Sequence, residues 1–228
     1  MKNQITTIAF DADDTLWENE QYFRQAEDKF SKLFEHLIAE DVTKQLFDIE
    51  MKNLKMYGYG IKGFMLGMIE TLAKLSGDKV DTALISKIFE IGHELLNKPI
   101  ILLDGIEKTL QHLYGKYRLV MATKGDLLDQ ERKLEKSGLA KYFHHIEIMS
   151  DKQPANYRKL IQHLDCKPEN FLMVGNSRKS DILPVLAINA FAVEVPYHTT
   201  WIHEMHEEEI VHPNFISVES IDQVIPLL

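Results

Sequence analysis

The sequence predicts an α/β fold, a doubly wound parallel sheet with an all-helical insert after its first strand. From residue 99 onward, short apolar runs alternate with stretches of helical period, the pattern of parallel strands joined by right-handed crossovers. Between residues 18 and 98 no convincing strand occurs, and apolar positions recur only at helical spacing. The predicted core domain is therefore 1–17 plus 99–228. The helical domain is 18–98, with Asn97-Lys98-Pro99 as the return hinge.

The first element starts at Ile5. A β-branched and apolar run through Phe10 stops at Asp11, Asp13 and Asp14, as a buried strand would that delivers carboxylates to its C-terminal end. Like charges this close repel unless a cation or hydrogen-bond donors compensate them. The C-terminal edge of such a sheet is also where ligands bind. We read Asp11 as a nucleophile and Asp13 as an acid/base, with Mg²⁺ between them.

After Trp17 the period becomes helical. Tyr22, Phe23, Ala26, Phe30, Leu33, Phe34, Leu37 and Ile38 share one face. Further helices are expected over roughly Val42 to Tyr57, Gly63 to Ser76 and Asp81 to Asn97. Alternation then resumes, with helices at Asp104 to Tyr114, Leu127 to Ser137, Asn156 to Leu164 and onward from Asp181. The strands between them are Arg118 to Thr123, Ile146 to Ser150, Phe171 to Gly175 and Ala190 to Val195. Ile216 to Val218 is read as a last short strand and Ile221 to Leu228 as a terminal helix.

Composition bounds the partners. Of 228 residues, 45% are apolar, enough for a sizeable core. A net charge of −9 argues against nucleic acid or an anionic membrane as the main partner. An anionic small molecule stays open, because a metal and a few lysines can set the local sign. The single cysteine, Cys166, leaves no internal disulfide and fits a reducing compartment. With no signal-peptide pattern and no long apolar span, the expectation is a cytoplasmic protein, monomer or homodimer.

Four strand ends converge at one edge of such a sheet. The first carries Asp11 and Asp13. The second carries Thr123, whose hydroxyl, with N–H groups of the following turn at Lys124 and Gly125, can hold a phosphate oxygen. The third ends at Ser150-Asp151-Lys152, where Lys152 can neutralise the nucleophile and a transferring phosphoryl group. The fourth gives Gly175-Asn176-Ser177-Arg178-Lys179-Ser180-Asp181, in which Asn176 and Asp181 can supply oxygen ligands to Mg²⁺. Each alone is ordinary: acid pairs are more often solvated loop charges, and a strand-end threonine or a lysine means little. Their order along consecutive strands makes the case.

The Asp-x-Asp-x-Thr of Asp11, Asp13 and Thr15 resembles the first motif of the haloacid dehalogenase-like hydrolase superfamily. Thr123 is similar to its second motif, Lys152 to its third, and Gly175-Asn176 with Asp181 to its fourth. The helical insert resembles the superfamily's cap domain. The resemblance implies that Asp11 attacks a phosphate ester and forms an aspartyl-phosphate, while Asp13 protonates the leaving alcohol and then activates water. It implies Mg²⁺ held by Asp11, the main-chain carbonyl of Asp13, and Asn176 or Asp181. The substrate is then a small phosphorylated metabolite. Dehalogenases of the superfamily lack the second aspartate, so Asp13 favours phosphoryl chemistry. A phosphotransferase or mutase using the same intermediate is the enzymatic alternative, and a weakly active phosphometabolite-binding module the other. Two positions depart from the pattern. Position 176 is Asn where Asp is commoner, and the third motif is reduced to Lys152-Gln153-Pro154, with Lys159 as the fallback lysine.

Gly58-Tyr59-Gly60-Ile61-Lys62-Gly63 matches Gly-x-Gly-x-x-Gly. A dinucleotide site needs a strand before this motif, and the preceding stretch is helical. We read it instead as a flexible loop between helices, with Lys62 as a candidate contact for an anionic substrate group. In the tail, His198, His203, His206 and His212 near Glu207-Glu208-Glu209 are read as a solvated acidic segment rather than a metal cluster.

Overall fold

The computed structural model describes residues 4–34, 41–77, 80–206 and 208–228. In chain order the elements are β1 (Thr7–Phe10), α1 (Glu20–Lys32), α2 (Val42–Tyr57), α3 (Ile61–Ser76), α4 (Thr82–Leu96) and α5 (Ile106–Leu113). There follow β2 (Arg118–Lys124), α6 (Leu127–Ser137), β3 (His145–Met149), α7 (Pro154–His163), β4 (Phe171–Gly175), α8 (Leu183–Leu186), β5 (Phe191–Glu194) and β6 (Phe215–Ser217). The chain divides into two compact units. One comprises Met1–Glu20, Ile100–Lys124 and Glu131–Leu228, the other Gln21–Pro99 and Gly125–Gln130.

The first unit is built on a six-stranded sheet of order β3-β2-β1-β4-β5-β6, and every neighbouring pair is parallel. β1 lies between β2 and β4, with Ile8 opposite Leu119 and Leu172. Its four residues are all buried, as expected where helices cover both faces of a sheet. Successive side chains point to opposite faces. Ile8, Phe10, Leu119, Met121, Leu172 and Val174 therefore enter one apolar cluster, and Ala9, Val120, Ala122 and Met173 the other. Residues i and i+2 share a face, and both faces are filled. The chain leaves β1 toward β2 and leaves β4 toward β5, in opposite directions across the sheet. The C-terminal ends of β1 and β4 thus flank a topological switch point, where a crevice forms.

The helix expected from Asp181 begins earlier, at Arg178. A π-helical turn, Arg178–Ile182, precedes α8, which runs only four residues. The terminal segment Ile221–Leu227 is a 3₁₀ helix, with Pro226 inside it.

The second unit has its own core, in which Phe30, Leu46, Phe64, Met68, Leu72 and Ile88 are buried together. Asp41 caps α2 by accepting from the Lys44 N–H at 3.1 Å, and Asp81 caps α4 by accepting from the Ala83 N–H at 2.8 Å. The glycine-rich stretch corrects the sequence reading. Only Gly58 to Gly60 interrupts the helices, with φ of 72° at Gly58 and 108° at Gly60, values that favour glycine. Ile61, Lys62 and Gly63 already form the first turn of α3, so Lys62 stands on a helix rather than in a loop. Leu37, Ile38 and Glu207, which figured in that reading, lie outside the described residues. Among the described residues no helix is long and apolar enough to cross a membrane.

Candidate active site

Asp11 follows β1 directly, and its N–H still donates to the Val174 carbonyl at 2.9 Å. This last ladder bond carries its side chain to the sheet edge, where it is buried. The carboxylate accepts from Lys152 Nζ and from Thr15 Oγ1 at 3.1 Å. Lys152 Nζ also donates to Asp181 Oδ1 at 2.6 Å. Lys152 is 2% exposed, so an ammonium has been taken out of water, which is costly unless paired. The two carboxylates provide the pairing. Lys159, the fallback, is exposed on α7.

Asp181 owes its place to backbone geometry. The Ser177 N–H donates to its Oδ2 at 3.0 Å, and the carboxylate lies against Gly175, where any Cβ would collide with it. Asn176 Oδ1 is 3.2 Å from Thr15 Oγ1. One hydroxyl thus sits between an Asp11 oxygen and the Asn176 amide oxygen.

This pocket holds one more carboxylate than ammonium. Burial, then repulsion from Asp181, pushes Asp11 up to about 7 against the pull of Lys152. For Lys152, burial disfavours the charge, but Asp11 and Asp181 outweigh it and hold the amine above its usual range. Among the described residues no three His, Cys, Asp or Glu side chains form a metal-holding group. A cation here would rest on fewer charges, namely Asp11, Asp181, the Asn176 amide oxygen and the main-chain carbonyl of Asp13. That all-oxygen set, with water completing the shell, suits Mg²⁺, which commonly takes one or two carboxylates. The uncompensated buried carboxylate calls for the same positive charge.

Asp13 is held away from that pair. Trp17 Nε1 donates to its Oδ1 at 2.7 Å, and Lys133 Nζ lies 3.0 Å from both carboxylate oxygens. Asp14 turns back, at φ 62°, to accept from the N–H groups of Asn19 at 2.8 Å and Glu20 at 3.0 Å. It therefore caps the start of α1. Burial, then Asp13, pushes its carboxyl up to about 8.

Thr123 is buried at the end of β2, its hydroxyl donating to the Lys124 carbonyl at 3.3 Å. The Lys124 amine is engaged elsewhere, with Ser180 Oγ at 2.9 Å and with Glu204. Gly125, at φ 136°, makes the turn that follows. Lys62 lies in the second unit, 65% exposed, and pairs with Asp126 there at 3.0 Å.

The first unit thus gathers Asp11, Asp181 and Lys152, with Asn176 linked through Thr15 and Asp13 two residues along the same loop. Sequence reasoning missed Trp17, Lys133 and Glu204. Trp17 carried a faint signal, four residues after Asp13. Lys133 carried none, being one of several charges on α6. Glu204 lay in the tail read as solvated, yet its carboxylate is half-buried, accepting from Ser180 Oγ at 2.6 Å and from Ser177. Nearby, Lys179 Nζ donates to the His203 carbonyl at 2.8 Å.

A family model described as haloacid dehalogenase-like hydrolase matches residues 5–187. No protein with a curated description matches. Among solved structures, a haloacid dehalogenase-like family hydrolase from Xanthomonas campestris is similar at 34% identity and a TM-score of 0.88, covering 100% of this chain and 93% of that one. A predicted phosphoglycolate phosphatase from Haemophilus somnus shares the fold at 15% identity and a TM-score of 0.67, covering 100% and 99%. A 2-haloacid dehalogenase from Pseudomonas syringae does so at 16% identity and 0.67, covering 98% and 97%. The motifs at the four strand ends and the family match agree, and the chain belongs to the haloacid dehalogenase-like hydrolases.

Proposed function

We propose that this hydrolase cleaves a small phosphate monoester through an aspartyl-phosphate on Asp11, with Mg²⁺ as cofactor. The observation that carries the reading is Asp13, a second carboxylate two residues from the nucleophile, held by Trp17 and Lys133 apart from the Lys152 pair. Displacement of halide needs a nucleophile but no acid for the leaving group; displacement of an alkoxide needs both.

Asp11 attacks phosphorus and forms the acyl-phosphate bond as the ester P–O bond breaks. Asp13 gives its proton to the departing oxygen. It then takes a proton from the water that attacks the intermediate, releasing phosphate and restoring Asp11. The Thr123 hydroxyl and the Lys124 N–H hold phosphoryl oxygens, and the Lys152 ammonium offsets their charge. When bound, Mg²⁺ supplies electrostatic stabilisation of the phosphoryl group.

The test is Mg²⁺-dependent phosphate release from p-nitrophenyl phosphate by wild type, Asp11→Asn and Asp13→Asn, beside halide release from 2-chloropropionate. Phosphate release abolished in Asp11→Asn and strongly slowed in Asp13→Asn is expected. Halide release without phosphate release overturns the reading.

A further inference from the structure

Lys133 reaches from α6 to a carboxylate 120 positions earlier in the chain. It is 8% exposed, and burying an ammonium is costly unless it is paired and hydrogen-bonded. Its Nζ lies 3.0 Å from both oxygens of Asp13 and 2.8 Å from Asn19 Oδ1. A second donor to Asp13, the indole of Trp17, is fully buried and bonds Oδ1 at 2.7 Å. One carboxylate is thus gripped from its own loop by a rigid ring and from a separate helix by an ammonium that is itself tethered. Asp13 can rotate about two side-chain bonds, and donors arriving from two elements restrict both rotations.

We propose that Lys133 is a positioning residue for proton transfer, which with Trp17 fixes the orientation of the Asp13 carboxylate toward the leaving oxygen. This rests on the reading of Asp13 as the acid. If the network merely braced the loop, its loss would slow all substrates alike. If it aims the acid, its loss is felt in proportion to how much the leaving group needs a proton. A misplacement of about 1 Å can cost a factor of about 100 in rate.

The experiment compares kcat/KM, which reports the first phosphoryl transfer, for p-nitrophenyl phosphate and phenyl phosphate at saturating Mg²⁺. The nitrophenolate leaves readily unprotonated; the phenolate does not. Wild type, Asp13→Asn, Lys133→Met, Lys133→Arg and Trp17→Phe are measured, with thermal melting of each. In Lys133→Met the ratio of the two rates is expected to widen about tenfold. In Trp17→Phe, which keeps the buried ring and removes only the donor, it widens less. Lys133→Arg is expected to restore most of the wild-type ratio. An unchanged ratio in Lys133→Met and Trp17→Phe, with a widened one in Asp13→Asn, overturns the positioning role and leaves the phosphatase reading standing. An unchanged ratio in Asp13→Asn, or no phosphate release by wild type, overturns that reading and this inference with it. Should Lys133→Met not fold, Trp17→Phe decides.

Discussion

Glu204 and Lys124, 80 residues apart, form a partly buried ion pair that fastens the tail to the end of β2. Burial opposes the Glu204 charge, but Lys124, Ser177 and Ser180 outweigh it and hold the carboxyl down to about 2, against an ordinary 4.5. The unfolded chain therefore takes up this proton at a higher pH than the folded one. Glu204 adds stability above its unfolded value, and that contribution is lost as pH falls from about 5 toward 2, amounting to about 3 kcal/mol. Denaturant titrations between these limits should show the loss, and Glu204→Gln should flatten that part of the profile. An identical acid limb in the variant would contradict the pairing.

Lys152 holds two buried carboxylates together, so Lys152→Met leaves Asp11 and Asp181 facing each other without it. Breaking such a pair from one side costs about 3–5 kcal/mol. Thermal melting should fall accordingly, and kcat for p-nitrophenyl phosphate should drop by about 100- to 1,000-fold. Added Mg²⁺ should recover part of the melting loss while the rate stays low.

Gly175→Ala places a methyl group where the Asp181 carboxylate lies. Backbone or carboxylate must shift, at a cost of about 1–3 kcal/mol. Because Asp181 is a candidate ligand, the Mg²⁺ concentration giving half-maximal rate should rise. A variant with wild-type stability and wild-type Mg²⁺ dependence would show that Asp181 is not confined there.

The Lys62–Asp126 pair is exposed on its lysine side, and exposed pairs contribute about 0–1 kcal/mol. Lys62→Ala should therefore leave the melting midpoint nearly unchanged. A large drop would mean that the pair has a structural role its exposure does not suggest.

The sheet was legible because its residues obey local rules. Runs such as Ile8 to Phe10 and Phe171 to Val174 are apolar without alternation, as strands covered on both faces must be. Asp11, Asp13, Lys152 and Asp181 were legible because each lies at or within a short turn of a strand end, so strand order alone brings them to one edge. Lys133 and Glu204 obey no such rule. They reach the site from a helix face and from an irregular tail, and nothing in the neighbouring sequence distinguishes them from solvated charges. Lys62 was misplaced because three glycines within six residues look like a loop, although the last of them is accommodated inside α3. The helix expected from Asp181 begins three residues earlier, at Arg178, as a π-helical turn that runs into α8.

The short segment Gly125–Gln130 sorts with Gln21–Pro99 rather than with the strand it continues. Within that unit Gly60 leaves room for the Asp126 backbone, which a Cβ would approach to 3.1 Å, and Lys62 bonds the Asp126 side chain. The insertion is consequently not a severable module. A chain trimmed of residues 21–99 would leave residues 125–130 without their packing partners. Engineers who swap this insertion between relatives would have to carry 125–130 across with it.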